Sequence, residues 1–121
     1  MIREMILKPQ GISEVKIEEF ENPVYIRRMT AAERAAFIKS AVKFENDEVK
    51  VEYSNLFENM ARLVSVTLCD ENGKRIFSDS DEDIKEMLEK CDAIILEKLY
   101  NKAARLNGLG EDAIKTASKN F

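Results

Sequence analysis

Residues 56–68, with the sequence LFENMARLVSVTL, decide the fold of this chain. Their least polar side chains recur with a period close to 3.6 residues, which predicts a helix with a broad apolar face. The residues on this face are Leu56, Phe57, Met60, Leu63, Val64, Thr67 and Leu68. We expect this helix to be the central element of the core, although the β-branched run at 64–67 disfavours helix in its last turn.

Before this helix, the sequence predicts another helix that begins at Thr30. The Thr30 hydroxyl can accept a hydrogen bond from the N–H of Glu33, and the Glu33 carboxylate can accept one from the N–H of Thr30. The apolar stripe that follows consists of Phe37, Ile38, Ala41 and Phe44, and the helix should end near residues 45–47. Alternation at Val49, Val51 and Tyr53 then fits a short strand or an extended lead-in, with Ser54 as the next cap.

The N-terminal part carries strand signals. Val15 and Ile17 alternate with charged residues before Glu21-Asn22-Pro23, and the β-branched and aromatic Val24-Tyr25-Ile26 follow it, which predicts a β-hairpin over 13–29 with its turn there. Residues 1–11 are interpreted as a loosely ordered arm that ends at Pro9-Gln10-Gly11 and can pack through Met5, Ile6 and Leu7.

After the central helix, Asp70-Glu71-Asn72-Gly73 has the composition of a turn, and Ile76 and Phe77 should return the chain to the core. An alternative interpretation pairs residues 66–69 with residues 74–77 as a second hairpin. Ser78 to Asp83 then cap a further helix and place acidic groups at its positive end.

One apolar stripe extends from Ile84 to Leu106, and it fits either one long helix or two helices with a break near Cys91-Asp92. Asn107-Gly108 predicts a left-handed cap at its C-terminal end, with Leu109 folding back. A last short helix is expected within residues 111–119. We therefore predict an α+β fold, with an N-terminal β-hairpin packed on a bundle of four to five α-helices, in a single domain over 1–121 whose part 30–121 is mainly helical.

Composition and charge exclude several classes of function. The net charge is −4, which repels a phosphate backbone. The best candidates for a local basic patch are only the pairs Arg27-Arg28 and Lys74-Arg75, so we expect no nucleic-acid partner. Two cysteines without histidine cannot fill a structural zinc site, and we interpret them as free thiols in a reducing compartment. The apolar runs are too short for a signal peptide or a membrane span, which predicts a cytoplasmic protein without a membrane partner.

The sequence contains no pattern that predicts catalysis. Histidine, the usual general base, is missing, and the four glycines have no phosphate-binding spacing. Residues 79–83 match the first acids of a calcium loop, but its sixth position is Ile84 and its twelfth is Lys90. We therefore expect no catalytic residue, no cofactor and no metal site.

Three motifs, in this order, resemble the tail assembly chaperones of long-tailed bacteriophages. They are residues 27–34 (RRMTAAER), residues 61–64 (ARLV) followed by 70–79 (DENGKRIFSD), and residues 106–109 (LNGL). The motif positions present here are Thr30, Glu33, Arg34, Arg62, Asp70, Gly73, Phe77, Asn107, Gly108 and Leu109. The hairpin turn departs from the family, because Phe20-Glu21-Asn22-Pro23 stands where a glycine or tryptophan is expected.

The resemblance implies a non-enzymatic protein that keeps the tape-measure protein soluble in the host cytoplasm until tail-tube subunits polymerise around it. It would be missing from the mature virion, and this chain would correspond to the short form where a frameshifted longer form exists. Tail-tube subunits and a second copy of the chain are further expected partners.

Apolar surface for such a client is expected on the two helical stripes, where the candidate partner-binding residues are Leu56, Phe57, Met60, Met87, Ile95 and Leu99. Ordinary core packing is an equally good explanation of both stripes. Two other functions remain open: a structural tail or connector subunit of a phage particle, or a small protein-binding adaptor.

Overall fold

Short strands and helices of 6 to 14 residues follow one another in a computed structural model, which describes residues 1–8, 11–45, 48–51, 56–78 and 80–109. The elements are α1 (Ile2–Leu7), β1 (Ile12–Val15), β2 (Val24–Arg27), α2 (Ala31–Ala41), β3 (Val42–Glu45), β4 (Glu48–Val51), α3 (Leu56–Thr67), β5 (Leu68–Cys69), α4 (Asp81–Lys90) and α5 (Ala93–Leu106). The predicted α+β class is confirmed, and side chains of the N-terminal hairpin share one apolar core with the helices.

The hairpin predicted over 13–29 is present. β1 and β2 pair antiparallel, with Ile12 opposite Arg27 and Val15 opposite Val24. Because side chains of a strand alternate between faces, Val15 and Ile26 point into the core, where both are buried. β5 joins the free edge of β2, which gives a three-stranded sheet in the order β1-β2-β5.

The helix over residues 56–67 is the central element, as the sequence predicts. It contacts α2, α4 and α5, and its residues Ala61, Leu63 and Val64 are almost completely buried. The predicted helix differs at its end, because Leu68 already belongs to β5. The β-branched run at 64–67 stays helical, and the chain changes to extended backbone at Leu68 because residues 68–69 pair with β2.

The long C-terminal stripe forms two helices, which decides the alternative that the sequence left open. α4 begins at a cap in which the Ser80 hydroxyl accepts a hydrogen bond from the N–H of Asp83. α5 begins at a second cap, where the Asp92 carboxylate accepts hydrogen bonds from the N–H groups of Ile94 and Ile95. The break lies at Cys91-Asp92, since Asp92 satisfies donors that a continuous helix would not leave free.

Two other predictions are corrected. α2 ends at Ala41, so Phe44 belongs to β3 and not to the helical stripe, and β3 pairs with β4. The N-terminal arm contains the short helix α1, whose Met5, Ile6 and Leu7 are exposed and do not pack on the core.

The strand alternative at Val49 and Val51 is realised as β4. The proposed pairing of 66–69 with 74–77 is reduced to a bridge between Cys69 and Arg75. Tyr53, Ser54 and the last helix expected within 111–119 lie outside the described residues. None of the helices in the described part of the chain combines the length and hydrophobicity needed to cross a bilayer.

Candidate functional site

The first motif forms the start of α2. The N–H of Glu33 donates to Thr30 Oγ1 at 3.2 Å, and the N–H of Thr30 donates to Glu33 Oε1 at 2.9 Å, which confirms the predicted capping box. Arg27, at the end of β2, donates to both oxygens of the Glu33 carboxylate at 3.1 and 2.8 Å. The Arg27 hydrogen bond lowers the pKa of Glu33 below its usual range. The capping residue therefore also joins α2 to the sheet.

The last motif ends α5 with a left-handed cap, as predicted. Gly108 has a φ of 69°, which an L side chain adopts only with strain. The N–H of Leu109 donates to the Ala104 carbonyl at 2.6 Å, and that of Gly108 donates to the Arg105 carbonyl at 3.2 Å. This is a Schellman arrangement, and it places Leu109 in the core, where it is almost completely buried.

These two motifs meet in space around Asn107. Its Oδ1 accepts a hydrogen bond from the N–H of Met29 at 2.7 Å, and its Nδ2 donates to the carbonyls of Arg27 at 3.3 Å and Ala103 at 2.9 Å. Arg34 donates to the carbonyl of Asn107 at 3.1 Å and to that of Gly108 at 3.4 Å. We call Arg27, Met29, Glu33, Arg34 and Asn107 the polar junction, because they tie the end of the hairpin, the start of α2 and the end of α5 together.

The middle motif forms a tight turn beside the start of β1. Asp70 Oδ1 accepts hydrogen bonds from the N–H groups of Asn72 at 2.8 Å and Lys74 at 2.9 Å. Gly73 has a φ of 86°, and a Cβ added there would lie 3.0 Å from Cδ1 of Ile12. The positive φ favours glycine at this turn, and a larger residue would also have to displace the end of the exposed Ile12 side chain. Phe77 follows the turn and packs against the core while staying half-buried.

The acidic first turn of α4 takes part in its N-terminal cap. The Asp83 carboxylate accepts hydrogen bonds from the backbone N–H and the hydroxyl of Ser78, and both bonds lower the pKa of Asp83. Across the described residues, no group of three or more acidic or cysteine side chains is arranged to hold a metal ion.

An apolar groove of about 300 Å³ opens between the loop of the hairpin, the end of α3, α4 and α5. Its described lining consists of Phe20, Val24, Val64, Leu68, Phe77, Glu86, Met87, Lys90, Cys91, Ile95 and Leu99. Glu86 and Lys90 are the charged members and both are exposed. We call this set of residues the apolar groove, and it is our candidate site for a protein partner, since apolar pockets with few polar groups are typical binding sites.

An ion pair positions the hairpin loop over α5 next to the groove. Lys98 donates to both carboxylate oxygens of Glu19 at 2.8 and 2.9 Å. This hydrogen-bonded pair lowers the pKa of Glu19 and raises the pKa of Lys98. Phe20 follows Glu19 directly, so the pair holds its ring at the groove, where the side chain stays 38% exposed.

The six candidate partner-binding residues lie in three different places. Met87, Ile95 and Leu99 line the apolar groove, and only Ile95 of these is half-exposed. Leu56 and Phe57 are exposed at the start of α3, outside the described lining of the groove. Met60 is buried in the core cluster and is not accessible to a partner, which corrects its assignment as a partner-binding residue.

The sequence analysis named three of the eleven residues in the described lining as binding residues, and Phe20, Phe77 and Cys91 are among the eight that it did not. Phe20 stands in the predicted hairpin turn Phe20-Glu21-Asn22-Pro23, although a phenylalanine between Glu19 and Glu21 is itself a signal of an apolar contact. Phe77 was assigned to the core, and Cys91 to a free thiol. Burial raises the pKa of the Cys91 thiol, which donates to the Asp92 carbonyl at 3.5 Å.

No known protein family, curated protein or solved structure that was compared with the chain matches it. The resemblance to tail assembly chaperones therefore depends on the motif residues alone, and the function that it implies stays a prediction.

Proposed function

We propose that this protein is a tail assembly chaperone of a long-tailed bacteriophage or prophage, which holds a helical segment of the tape-measure protein in the apolar groove. The observation that supports this function most directly is the groove itself. Phe20, Phe77 and Ile95 leave apolar area in contact with water, and an uncovered apolar cleft is stabilised by a partner that fills it.

The shape and chemistry of the groove suit one face of an amphipathic helix. Such a client inserts side chains at positions i, i+3, i+4 and i+7 into a cleft between elements of the host protein. Met87, with its flexible thioether, adapts to side chains of different shape, which suits a client of variable sequence. Glu86 and Lys90 beside the cleft keep the complex hydrated and pair with charges of either sign on the client.

Co-expression with the tape-measure protein encoded near this gene tests the proposal. We expect this chain to raise the soluble fraction of the large protein several-fold. The Phe20→Ser variant should lose most of that effect, because it removes a half-exposed ring from the groove. Ile94→Ser is the matched control, since Ile94 is 60% exposed and is not part of the described lining.

Three results would contradict the proposal. A tape-measure protein that is equally insoluble with and without this chain excludes a chaperone function. Stoichiometric retention of the chain in purified virions would instead favour a structural tail subunit. Equal loss of solubilisation in the Phe20 and Ile94 variants would move the client site away from the groove.

A further inference from the structure

A second cavity, of about 320 Å³, lies between α2 and α3 and is separate from the apolar groove. Its described lining consists of Ala32, Glu33, Ala36, Phe37, Ser40, Arg62, Val66 and Arg75. Apolar residues make up half of this lining, and its cations are the guanidinium groups of Arg62 and Arg75. We call it the arginine cavity. Neither the apolar groove nor the chaperone function proposed above accounts for it.

Arg75 has unused hydrogen-bonding capacity at this cavity. One Nη donates to the Ser65 carbonyl at 3.2 Å, but the Nε is buried and has no hydrogen-bond partner within the described residues. In the described part of the chain, the fully buried hydroxyl of Ser65 is the other buried side-chain atom without a hydrogen-bond partner. Because the chain itself covers the Nε, a ligand in the cavity reaches Arg75 through its Nη groups, and the described residues provide an acceptor for only one of them.

The two arginines differ in their charge partners. Arg62 pairs with Glu58 at 2.9 Å and lies 3.9 Å from Asp81. For Arg75, the described residues provide no carboxylate within ion-pairing distance. Guanidinium groups bind carboxylates through two parallel hydrogen bonds, and Arg75 still has donors free for that geometry.

We propose that the arginine cavity binds a carboxylate that is carried on an apolar group. The carboxylate accepts hydrogen bonds from free Nη hydrogens of Arg75, and Arg62 adds a second positive charge. The apolar part of the ligand contacts Ala36, Phe37 and Val66. Such a ligand is either an Asp or Glu side chain of a partner protein or a free short-chain carboxylic acid, which share the same chemistry.

A singly charged carboxylate fits this cavity better than a phosphate. Glu33 lines the cavity, and Glu58 and Asp81 lie beside Arg62. These three acidic groups, on a chain whose net charge is −4, repel a dianion more strongly than a monoanion. The apolar lining residues also give a carbon chain, but not a phosphate, something to contact.

Nuclear magnetic resonance of arginine-labelled protein tests the proposal, with butyrate as the probe. We expect butyrate to shift the Nε–H resonance of Arg75 in a saturable way and that of Arg62 to a smaller extent. Butyramide, a neutral molecule of the same shape, and inorganic phosphate are the comparison ligands. Arg105, an exposed arginine of α5, is the internal control and should not respond. Equal shifts with butyramide, larger shifts with phosphate, or no response to butyrate would overturn the proposal.

Variants locate the binding to the two guanidinium groups. Arg75→Gln should weaken butyrate binding at least tenfold, and Arg62→Gln several-fold, whereas Arg105→Gln should leave it unchanged. Because Arg75 also binds the Ser65 carbonyl, the Arg62 variant keeps the test valid if the Arg75 variant does not fold. Unchanged affinity in a folded variant of either cavity arginine would overturn the assignment.

A pair of helical peptides distinguishes the two sources of the carboxylate. One peptide has a single central Glu among alanine and leucine residues, and the other has Gln at that position. A Glu peptide that binds more tightly than butyrate identifies a protein side chain as the ligand, whereas a response to butyrate alone identifies a free acid. Both results support a carboxylate site, and equal binding of the two peptides without any response to butyrate would overturn it.

Discussion

The polar junction and the apolar groove differ in their need for a partner: the chain itself supplies the hydrogen bonds of the junction, but it does not fully bury the apolar side chains of the groove. In the junction, the Asn107 amide makes three hydrogen bonds to backbone groups, and the Glu33 carboxylate binds both Arg27 and the start of α2. In the groove, apolar side chains such as Phe20 and Ile95 remain partly in water. The first region is complete without a partner, and the second gains from one.

This difference shows what the recognisable motifs of the chain do. Thr30, Glu33, Arg34, Asn107 and Gly108 belong to motifs that resemble a known family, and they stabilise the fold. Most side chains of the groove belong to no motif beyond helical spacing. The motifs at the two ends of this fold therefore identify the scaffold, and most of the proposed binding surface has to be found from the structure.

The largest effect is expected when the junction is broken at its centre. Asn107→Ala removes three hydrogen bonds and leaves the half-buried N–H of Met29 without its acceptor, so the free energy of unfolding should fall by about 2 to 3 kcal/mol. Denaturation in urea measures this loss. Asn101→Ala, at an exposed position of the same helix, should change stability by less than about 0.5 kcal/mol. Equal stability of the two variants would show that the junction does not stabilise the fold.

A smaller loss is expected at the cap of α5. Gly108→Val should destabilise the protein by about 1 to 2 kcal/mol, because a β-branched residue resists a φ of 69°. Gly108→Asn is the matched control, since asparagine adopts the left-handed region more readily than other L residues. Thermal melting at neutral pH distinguishes the variants. If valine and asparagine have the same effect, backbone conformation is not what the glycine provides.

The ion pair of the junction predicts a dependence on pH. The Arg27 hydrogen bond lowers the pKa of Glu33 in the folded state, so the pair stabilises the fold above the unfolded-state pKa of a glutamate. That contribution is lost as the pH falls through the lowered folded-state pKa. Wild type should exceed Glu33→Gln by about 1 kcal/mol at pH 7, and the difference should close in acid. A difference that does not change with pH would contradict the role of the ionised carboxylate.

The last prediction concerns the chemical reactivity of the Cys91 thiol in the groove and not the stability of the fold. Cys91 lines the groove and is half-buried, and burial raises the pKa of its thiol, so alkylation by a maleimide should be slow at pH 7 and faster at higher pH. Cys69 is buried beside β2 and should react only after unfolding. Mass spectrometry of the labelled chain measures both rates. A bound client that leaves Cys91 labelling unchanged would place the client outside the groove.

Local signals predicted those parts of the fold whose partners lie within a few residues. The capping box at Thr30, the amphipathic helix over 56–67 and the left-handed cap at Gly108 each depend on groups in the same turn or helix face. Asp92 carries such a local signal too, because aspartate is a preferred N-cap residue and it stands directly before α5. The sequence analysis nevertheless left open whether this segment forms one helix or two.

Contacts between distant segments were not predicted, because no local pattern encodes them. The joining of β5 to β2 decides that residues 68–69 leave the helix, and it depends on the free edge of a strand some 40 residues earlier. The groove combines the hairpin loop, the end of α3, α4 and α5, so the helical stripes predicted Met87, Ile95 and Leu99 but not Phe20. The stripes also predicted Met60, since spacing alone does not tell which side of a helix a neighbour covers.

The hydrogen bonds of the Asn107 amide also affect how the chain folds during its synthesis on the ribosome. Asn107 binds the end of the hairpin through a hydrogen bond to Arg27, about 80 residues earlier in the sequence. The N-terminal strands therefore leave the ribosome long before Asn107 does. Contacts of such sequence separation form late and slow the folding of a chain. During most of its synthesis, the first strands of this protein therefore lack the hydrogen bonds that Asn107 provides.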